Sequence, residues 1–303
     1  MNHAPPLVSV IVAAYNSADF LSGCLESLNQ QTFRDFEIIV VNSSPETRTA
    51  EVASLFKNVY FFQSPHRLFP HAARNVGVSL ARSELFAFTD ADCQADPHWL
   101  AELVSIHAAG HEIIGGCIDS RAEAIVSRGI YVMKYSPYQR SERAGPISLA
   151  ATGNLLVSRK VFDAVGGFDG SIFCGDALFS WEARAAGFTP WYEPKAIVFD
   201  QDERYHQRFL YERFQRGLEY GRVRAEFEQW SRPRRWLRIA GCPLSLCSAL
   251  VAIGRHCLNG ARLKDFLIGF PFIAVAQAAW CVGEAFGYAT RSPDRSKNFK
   301  PTL

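Results

Sequence analysis

The sequence lacks the cysteine patterns of metal sites: it has no Cys-x-x-Cys pair and no cluster of Cys and His with zinc spacing. Its eight cysteines are scattered, and an even number indicates disulfides mainly in short secreted chains. Residues 1–6 are short and polar and lead directly into a folded-looking pattern, so no secretory signal is expected. We therefore predict buried thiols in a reducing compartment.

The sequence also lacks internal repeats and compositional bias. With 21 Gly and 15 Pro it has near-average amounts of both, which excludes collagen-like and low-complexity chains. Hydrophobic residues make up 48% and charged residues 20%, which excludes a disordered chain. A length of 303 residues is enough for one large domain or two modest ones.

Charge divides the chain into two regions. Residues 1–203 contain 15 Lys and Arg against 23 Asp and Glu, a net charge of −8. Residues 204–303 contain 17 against 7, a net charge of +10. This asymmetry indicates two regions with different electrostatic tasks, and we predict a domain boundary between residues 203 and 204.

Residues 1–203 alternate between apolar β-branched runs and segments with helical periodicity. The pattern predicts strands over Leu7–Ala14, Phe36–Val41, Val59–Phe62, Leu85–Thr89 and Ile113–Asp119. It predicts helices over Phe20–Gln30, Thr47–Phe56, Ala72–Leu80, Pro97–Ala109 and Ala177–Ala186. Residues 120–147 are ambiguous. This order predicts an α/β fold, a parallel sheet with helices on both faces.

Polar side chains follow three of the predicted strands: Tyr15, Asn42, and the pair Asp90 and Asp92. Ligands of open parallel sheets bind at the carboxyl ends of the strands, so these motifs are expected to converge on one edge. Two carboxylates at positions i and i+2 of a turn can reach one divalent ion, and oxygen ligands suit Mg²⁺ or Mn²⁺. The alternative is a solvated turn in which Asp binds its own backbone.

Six segments, in order, resemble the family 2 glycosyltransferases of GT-A fold over about residues 7–200. The segments are VSVIVAAYN, EIIVVNSSPET, HAARNVG, LFAFTDADC, TGNLLVSRKVFDAVGGFD and GD-x10-G. The resemblance implies a GT-A nucleotide-sugar-binding fold. It also implies inverting transfer of a sugar from a nucleotide-diphosphate donor, assisted by Mn²⁺ or Mg²⁺.

The resemblance implies a donor site built from the first three motifs. Ala13 and Tyr15 would line the pocket of the base. Asn42 stands where the family usually has an Asp that contacts the base, so uracil is not assured. Arg74 and Asn75 would approach the ribose or the diphosphate.

The resemblance also implies a metal site and a sugar site. Asp90 and Asp92 would form the metal motif, with Asp92 the direct ligand. Asp200 could replace a His that many relatives use as a further ligand. Gly153 and Asn154 would face the donor sugar or the acceptor.

Asp176 matches the general base of the family. Inverting transfer needs the acceptor hydroxyl deprotonated as it attacks, which a carboxylate within hydrogen-bond reach can do. The alternative is an N-cap for the helix predicted over 177–186, and both roles could hold. Gly175 replaces a Glu that often precedes the base, which removes an acceptor-binding carboxylate or opens room there. Trp181 completes the predicted acceptor-facing group.

Processive relatives have a Gln-x-x-Arg-Trp motif that this chain lacks, so we expect transfer of a single sugar. A less favoured alternative is a sugar-1-phosphate nucleotidyltransferase, which should have a Gly-rich loop with Arg and Lys after the first strand. Residues 13–17 contain no basic residue, which counts against it. Asn42 and Gly175 leave open a degenerate nucleotide-sugar-binding scaffold without turnover.

The basic C-terminal region interleaves arginines with aromatic residues, and two apolar runs of 15 and 18 residues follow, Ile239–Ile253 and Phe266–Gly283. Basic residues lie between the runs, at Arg255, Arg262 and Lys264, which the positive-inside rule disfavours across a membrane. We predict two helices that lie in or dip into the cytoplasmic leaflet of the plasma membrane, on an anionic surface. A re-entrant hairpin and a pair of packed core helices are the alternatives, and nucleic acid is not expected as a partner.

The leading hypothesis is therefore a peripheral or monotopic, metal-dependent glycosyltransferase at the cytoplasmic face of the inner membrane. Its acceptor would be a lipid-linked or cell-surface polysaccharide precursor.

Overall fold

The computed structural model describes residues 4–121, 123–141, 143–201, 208–259 and 262–290. The predicted domain boundary at residues 203 and 204 lies outside them. Within them, contacts divide the chain into two compact units. The first comprises residues 1–121, 140–171 and 175–202, and the second comprises residues 122–139, 172–174 and 203–303.

Nine strands in the described residues form one sheet. They are β1 (Val8–Ala14), β2 (Phe36–Asn42), β3 (Val59–Gln63), β4 (Leu85–Asp90), β5 (Cys93–Ala95), β6 (Ile113–Ser120), β7 (Gly145–Pro146), β8 (Asn154–Ser158) and β9 (Trp191–Asp200). Their order is β3-β2-β1-β4-β8-β6-β9-β5, and β7 pairs with β9. The five predicted strands are confirmed as β1–β4 and β6, each within one residue at its ends.

The sheet is mainly parallel, as predicted, but β8 lies in its middle and runs antiparallel to both β4 and β6. The short strands β5 and β7 run antiparallel to β9. Strands β1, β4 and β6 are buried nearly throughout, because helices cover both faces of such a sheet.

Eleven α-helices lie in the described residues. They are α1 (Ala18–Asn29), α2 (Arg48–Ser54), α3 (Pro70–Leu80), α4 (Trp99–Ala108), α5 (Ile125–Tyr135), α6 (Arg159–Val165), α7 (Gly175–Ala185), α8 (Phe209–Phe227), α9 (Arg232–Ala240), α10 (Cys242–Asn259) and α11 (Leu263–Ala289). The five predicted helices of residues 1–203 are confirmed within two residues as α1–α4 and α7. The ambiguous segment 120–147 contains α5.

The core of the first unit contains a group of buried aromatic rings between the sheet and helices α6 and α7. The rings belong to Phe86, Phe88, Phe162, Phe168 and Phe179. Phe168 packs edge-on against Phe88 with ring centroids 5.3 Å apart, and its chain segment leaves α6 through two glycines with positive φ. This packing positions the loop that leads into α7.

The second unit is helical, and its closest packing joins α8 to α11. Each helix has two glycines four residues apart, Gly217 and Gly221 on α8, Gly283 and Gly287 on α11. A Cβ atom on any of the four would come within 2.4 Å of a backbone oxygen of the other helix. The two backbones are therefore in direct contact, the arrangement that small residues at this spacing permit.

By length and composition one described helix, α11, could cross a membrane. Helices α9 and α10 pass the same test only together, and they meet at a bend of 62°. The predicted 18-residue run lies within α11, which has 27 residues. The predicted run Ile239–Ile253 is not one helix, because it is divided at Gly241 between α9 and α10.

All eight cysteines are free thiols. Five are buried, as predicted, but Cys174 and Cys242 are half-buried and Cys247 is exposed.

Candidate functional site

The carboxyl ends of β1, β2 and β4 meet at one edge of the sheet, as the motif spacing predicts. Ala13 lies opposite Val41 of β2 on one side and Asp90 of β4 on the other. Tyr15 follows β1 with 38% of its surface exposed, and the guanidinium of Arg67 lies 4.4 Å from the centre of its ring. This ring is accessible at the edge, next to the end of β1.

Asn42 ends β2 and is completely buried. Its Nδ2 donates to Oε1 of Gln63 at 2.8 Å, and its Oδ1 accepts hydrogen bonds from the backbone N–H and the hydroxyl of Ser44. These bonds hold together the ends of β2 and β3. Contact between Asn42 and a nucleotide base stays a prediction.

Arg74 connects helix α3 to the predicted metal motif. Its side chain is 4% exposed, and Nη2 donates to Oδ1 of Asp90, whose side chain is 35% exposed. Nη1 lies 3.3 Å from Nδ1 of His71, which is three residues earlier on α3 and 3% exposed. Arg74 is thus fixed between a histidine and a carboxylate, and its buried Nε has no hydrogen-bond partner in the described residues.

The three carboxylates predicted to bind metal surround one buried thiol. Burial raises the pKa of Cys93 well above its usual value, and the negative charges of Asp92, Asp90 and Asp200 raise it further. Asp200 lies opposite Cys93 in the β5–β9 pair and is 7% exposed, whereas Asp90 and Asp92 are both partly exposed. No three His, Cys, Asp or Glu side chains among the described residues form a closed metal-binding group.

The backbone around Asp92 is fixed by the end of β9. The N–H of Gln201 donates to the carbonyl of Asp92 at 2.8 Å, and the N–H of Asp96 donates to the carbonyl of Ile197 at 2.9 Å. The short strand β5 lies between these two bonds. Strand β5 was not predicted from the sequence, because it has only three residues.

Asn154 is not at the surface of the site, contrary to the prediction that it faces a sugar. It is 1% exposed, and its Oδ1 accepts from the indole Nε1 of Trp99 at 2.8 Å. Its Nδ2 donates to the carbonyls of Cys117 and Ala196, both at 2.8 Å. Asn154 therefore joins β8 to β6, β9 and α4 inside the protein.

Gly153, in contrast, lies beside the carboxylate of Asp90. A Cβ atom at Gly153 would lie 3.1 Å from Oδ2 of Asp90. The absence of a side chain leaves space at this oxygen, the one that Arg74 does not bind.

Asn75 is also committed within the protein. Its Nδ2 donates to the carbonyl of Phe168 at 2.7 Å, and its Oδ1 accepts from the N–H of the same residue at 3.0 Å. Both polar groups hold the loop before α7, and contact of Asn75 with ribose or diphosphate stays a prediction.

Asp176 lies in the first turn of α7, half-buried, and its Oδ1 accepts from the N–H of Ala177 at 2.8 Å. Because α7 begins at Gly175, Asp176 is inside the helix, and the predicted N-cap role is wrong. A carboxylate in the first turn of a helix is stabilised by the helix dipole. Trp181 lies half-buried on the same helix.

The space opened by Gly175 is already occupied. A Cβ atom there would lie 2.6 Å from Cδ2 of His71, so the imidazole packs directly against the backbone of α7. The same imidazole lies 5.3 Å from the ring of Phe168. His71 is the residue that sequence reasoning missed, because it lies one residue before the helix predicted over 72–80, and the structure extends that helix to Pro70.

The sheet, with these carboxylates and the arginine at its carboxyl edge, defines the GT-A class of nucleotide-sugar-binding folds. The chain belongs to Glycosyl transferase family 2, which it matches over residues 9–166.

Two relatives fit this assignment. Glycosyltransferase AglE of Haloferax volcanii is 28% identical over 200 residues, which cover 62% of this chain and 65% of AglE. The putative glycosyltransferase EpsH of Bacillus subtilis is 34% identical over 112 residues, which cover 35% of this chain and 31% of EpsH. The alignments thus span less than two thirds of either relative.

Among solved structures, the mannosyltransferase PcManGT of Pyrobaculum calidifontis, in complex with GDP-Man and Mn²⁺, superposes with a TM-score of 0.66. The match covers 94% of this chain and 87% of that chain at 17% identity. At this identity the likeness shows the fold.

Proposed function

We propose that the protein is an inverting, metal-dependent glycosyltransferase that moves one sugar from a nucleotide-diphosphate-sugar to a lipid-linked or saccharide acceptor. Residues 1–203 would be the catalytic domain, and residues 204–303 would associate with the cytoplasmic face of the plasma membrane. Family membership supports the reaction class, and PcManGT, in complex with GDP-Man and Mn²⁺, supports the donor class.

The observation that carries the proposal is the row of contacts from Asp90 through Arg74 and His71 to Gly175. It brings the turn that contains Asp176 to the same edge as the acidic motif. A general base and a site for the leaving diphosphate are the two parts that inverting transfer needs.

The residues at this edge fit a divalent metal. Asp90 and Asp92 are partly exposed carboxylates, and Gly153 leaves space beside Oδ2 of Asp90. Two protein carboxylates with the remaining positions left for water and phosphate oxygens is a usual coordination of Mg²⁺. A bound Mn²⁺ or Mg²⁺ would supply a positive charge that stabilises the leaving diphosphate.

The chain's own groups have separate tasks in this reaction. Asp176 would accept the proton of the acceptor hydroxyl as its oxygen forms the bond to the anomeric carbon. Arg74, held by His71, would keep Oδ1 of Asp90 in place, so that only Oδ2 is available to a ligand. Tyr15 and Arg67 would pack against the base at the end of β1.

The first test is thermal stability with UDP-, GDP-, CMP- and dTDP-sugars, with and without Mn²⁺, since a ligand of the native state raises Tm. A Mn²⁺-dependent rise with one nucleotide supports the donor site and identifies the base that Asn42 leaves open. No rise with any donor contradicts it.

The second test is turnover of that donor by Asp176→Asn. Loss of a general base lowers kcat by about 10²–10⁴-fold while donor binding persists. The exposed Asp163→Asn is the matched control, because it removes one carboxylate of the same unit without touching the edge. Equal turnover by wild type and Asp176→Asn would favour the non-catalytic scaffold.

A further inference from the structure

The second unit contains a cavity of about 430 Å³ at the start of helix α9, here named the α9 pocket. Its walls include Trp230, Arg232, Arg235, Trp236, Ile239 and Tyr288. Cavities of this size hold small ligands or the polar end of a larger one. No part of the donor site uses these residues.

The two arginines of the α9 pocket differ in how firmly their side chains are held. Arg235 is fixed, because its Nε donates to the carbonyl of Trp230 at 3.2 Å and its Nη1 to those of Tyr288 and Thr290. Its Nη2 makes no hydrogen bond to any described residue. Arg232 is exposed and has no ion-pair partner in the part of the chain that the structure describes.

The surroundings of the pocket are positive. Trp230 is 5% exposed, and three more guanidiniums lie within 6 Å of its ring centre, those of Arg224, Arg234 and Arg238. Glu228 contacts Arg234 and Glu284 contacts Arg224, both at 3.7 Å, so the arginines around the pocket still outnumber the carboxylates. Helix α9 begins at Arg232 without a side-chain cap from Ser231, and because Pro233 has no N–H, its first turn offers an anion the N–H groups of Arg232 and Arg234.

The same helix exposes apolar side chains beside the pocket. Trp236 is 66% exposed and Leu237 is 73% exposed, and none of the residues of α9 is buried. A short helix that exposes arginine, tryptophan and leucine together is suited to the interface of a membrane, where charges meet phosphates and apolar groups enter the acyl boundary. This combination points to a phosphate that belongs to a lipid.

We propose that the α9 pocket binds the phosphate of an anionic membrane lipid, through Arg232 and Arg235, with Trp236 inserted beside the lipid. This proposal rests on the proposed membrane association and gives it a specific site. The guanidinium of Arg232 can donate two parallel hydrogen bonds to one phosphate, which a lysine cannot do, and Arg235 would add one bond from Nη2.

The test measures partition of the full chain between buffer and vesicles. One set of vesicles is phosphatidylcholine alone, and the other is phosphatidylcholine with phosphatidylglycerol at about 3:1. Arg232→Gln is compared with Arg234→Gln, which removes the same charge from the same helix outside the pocket. Loss of one arginine near an anionic surface weakens binding about fivefold. We expect a loss of vesicle binding of about fivefold for Arg234→Gln, and a loss about ten times larger than that for Arg232→Gln.

A second pair of variants keeps the charge. Arg232→Lys should weaken partition several-fold, whereas Arg234→Lys should leave it unchanged. Soluble glycerol 1-phosphate should displace the wild type from vesicles better than chloride does at equal ionic strength. It should do the same for Arg234→Gln, which keeps Arg232, but not for Arg232→Gln. Both arginines are exposed, and matching thermal melts of the four variants confirm that each is folded.

The proposed lipid site would be wrong if the two glutamine variants lost vesicle binding equally and both lysine variants bound like the wild type. That result would indicate a general electrostatic attraction to the membrane. If glycerol 1-phosphate binds in competition but the wild type shows no preference for phosphatidylglycerol, the pocket binds a soluble phosphate. The proposal of a lipid ligand would then be wrong. Absence of both effects would overturn the pocket and the membrane association together, while the donor tests above would still stand on their own.

Discussion

The two units treat hydrophobic side chains in opposite ways. In the first, the long apolar strands and the phenylalanine group are almost completely buried, and few large hydrophobic residues are exposed. In the second, exposed large side chains occur along every long helix. Examples are Tyr211, Trp236, Leu244, Val251, Leu267, Ile268, Val275 and Phe286.

The difference follows from how the backbone hydrogen bonds of each unit are formed and how its elements pack. The sheet of the first unit is covered by helices on both faces, so its apolar side chains are buried in the contacts between sheet and helices. The helices of the second unit satisfy their own backbone, and α8 and α11 meet through glycine. Their apolar side chains are then left facing outward, together with many arginines, as at a membrane interface.

Removing the carboxylate of Asp92 should sharpen the comparison most, because it affects chemistry in the first unit and little else. Asp92→Ala is expected to lower metal-dependent turnover about a thousandfold, since stabilisation of the leaving group by a metal contributes several kcal/mol. Without ligand, Tm should be nearly unchanged, because Asp92 is partly exposed and its bond to Gln201 uses the backbone carbonyl, which the substitution keeps.

The matched variant for Asp92 is Asp163→Ala, on the exposed side of α6. It should keep wild-type turnover and Mn²⁺ dependence. If Asp92→Ala keeps its Mn²⁺ dependence, the metal binds elsewhere.

Asn154→Ala should break the first unit. It leaves the indole N–H of Trp99 and the carbonyls of Cys117 and Ala196 buried without partners, at a cost of roughly 3 kcal/mol or more. Tm should fall by about 6–12 °C. Thermal unfolding followed by circular dichroism checks this. The control is Asn58→Ala, which removes an exposed amide and should lower Tm by less than about 2 °C. A similar fall of Tm in both variants would contradict the central role of Asn154.

Gly221→Ala tests the packing of the second unit and should have the smallest effect. The added Cβ would lie 2.4 Å from the carbonyl oxygen of Glu284, which cannot move without moving α11. Overpacking of this kind costs about 1–3 kcal/mol, partly offset by the higher helix propensity of alanine. Chemical denaturation of the full chain should show a lower midpoint.

Gly129→Ala is the control on α5, where the new Cβ would be in ordinary contact with Phe272 at 3.5 Å. It should be neutral or stabilising by up to about 1 kcal/mol. Two variants of equal stability would show that α8 and α11 do not depend on backbone contact.

The sequence predicted the parts of the structure that depend on local periodicity and missed those that depend on distant partners. Strands β1, β2 and β4 and the edge they form follow directly from apolar runs that end in polar residues. Strand β8 has no signal of direction, because its antiparallel course depends on pairing with β4 and β6.

The same division applies to the site. Asp90 and Asp92 follow a strand, so their place is set by the chain itself. Asn75 and Asn154 carry polar groups that a motif can equally give to a ligand or to the protein, and only the positions of Phe168 and Trp99 decide between them. The imidazole of His71 packs against α7 because Gly175, distant in sequence, has no side chain.

The pairing of β5 with β9 has a consequence for the order in which the chain becomes structured. Asp92 and β5 leave the ribosome about 100 residues before β9, a delay of roughly 5–20 s at ordinary rates of synthesis. During that interval the segment after Asp92 can already bond to Ser27 and Gln31, but its bonds to Ile197 and Gln201 cannot form. A fragment that ends near residue 166, where the family match ends, would remain in that condition permanently.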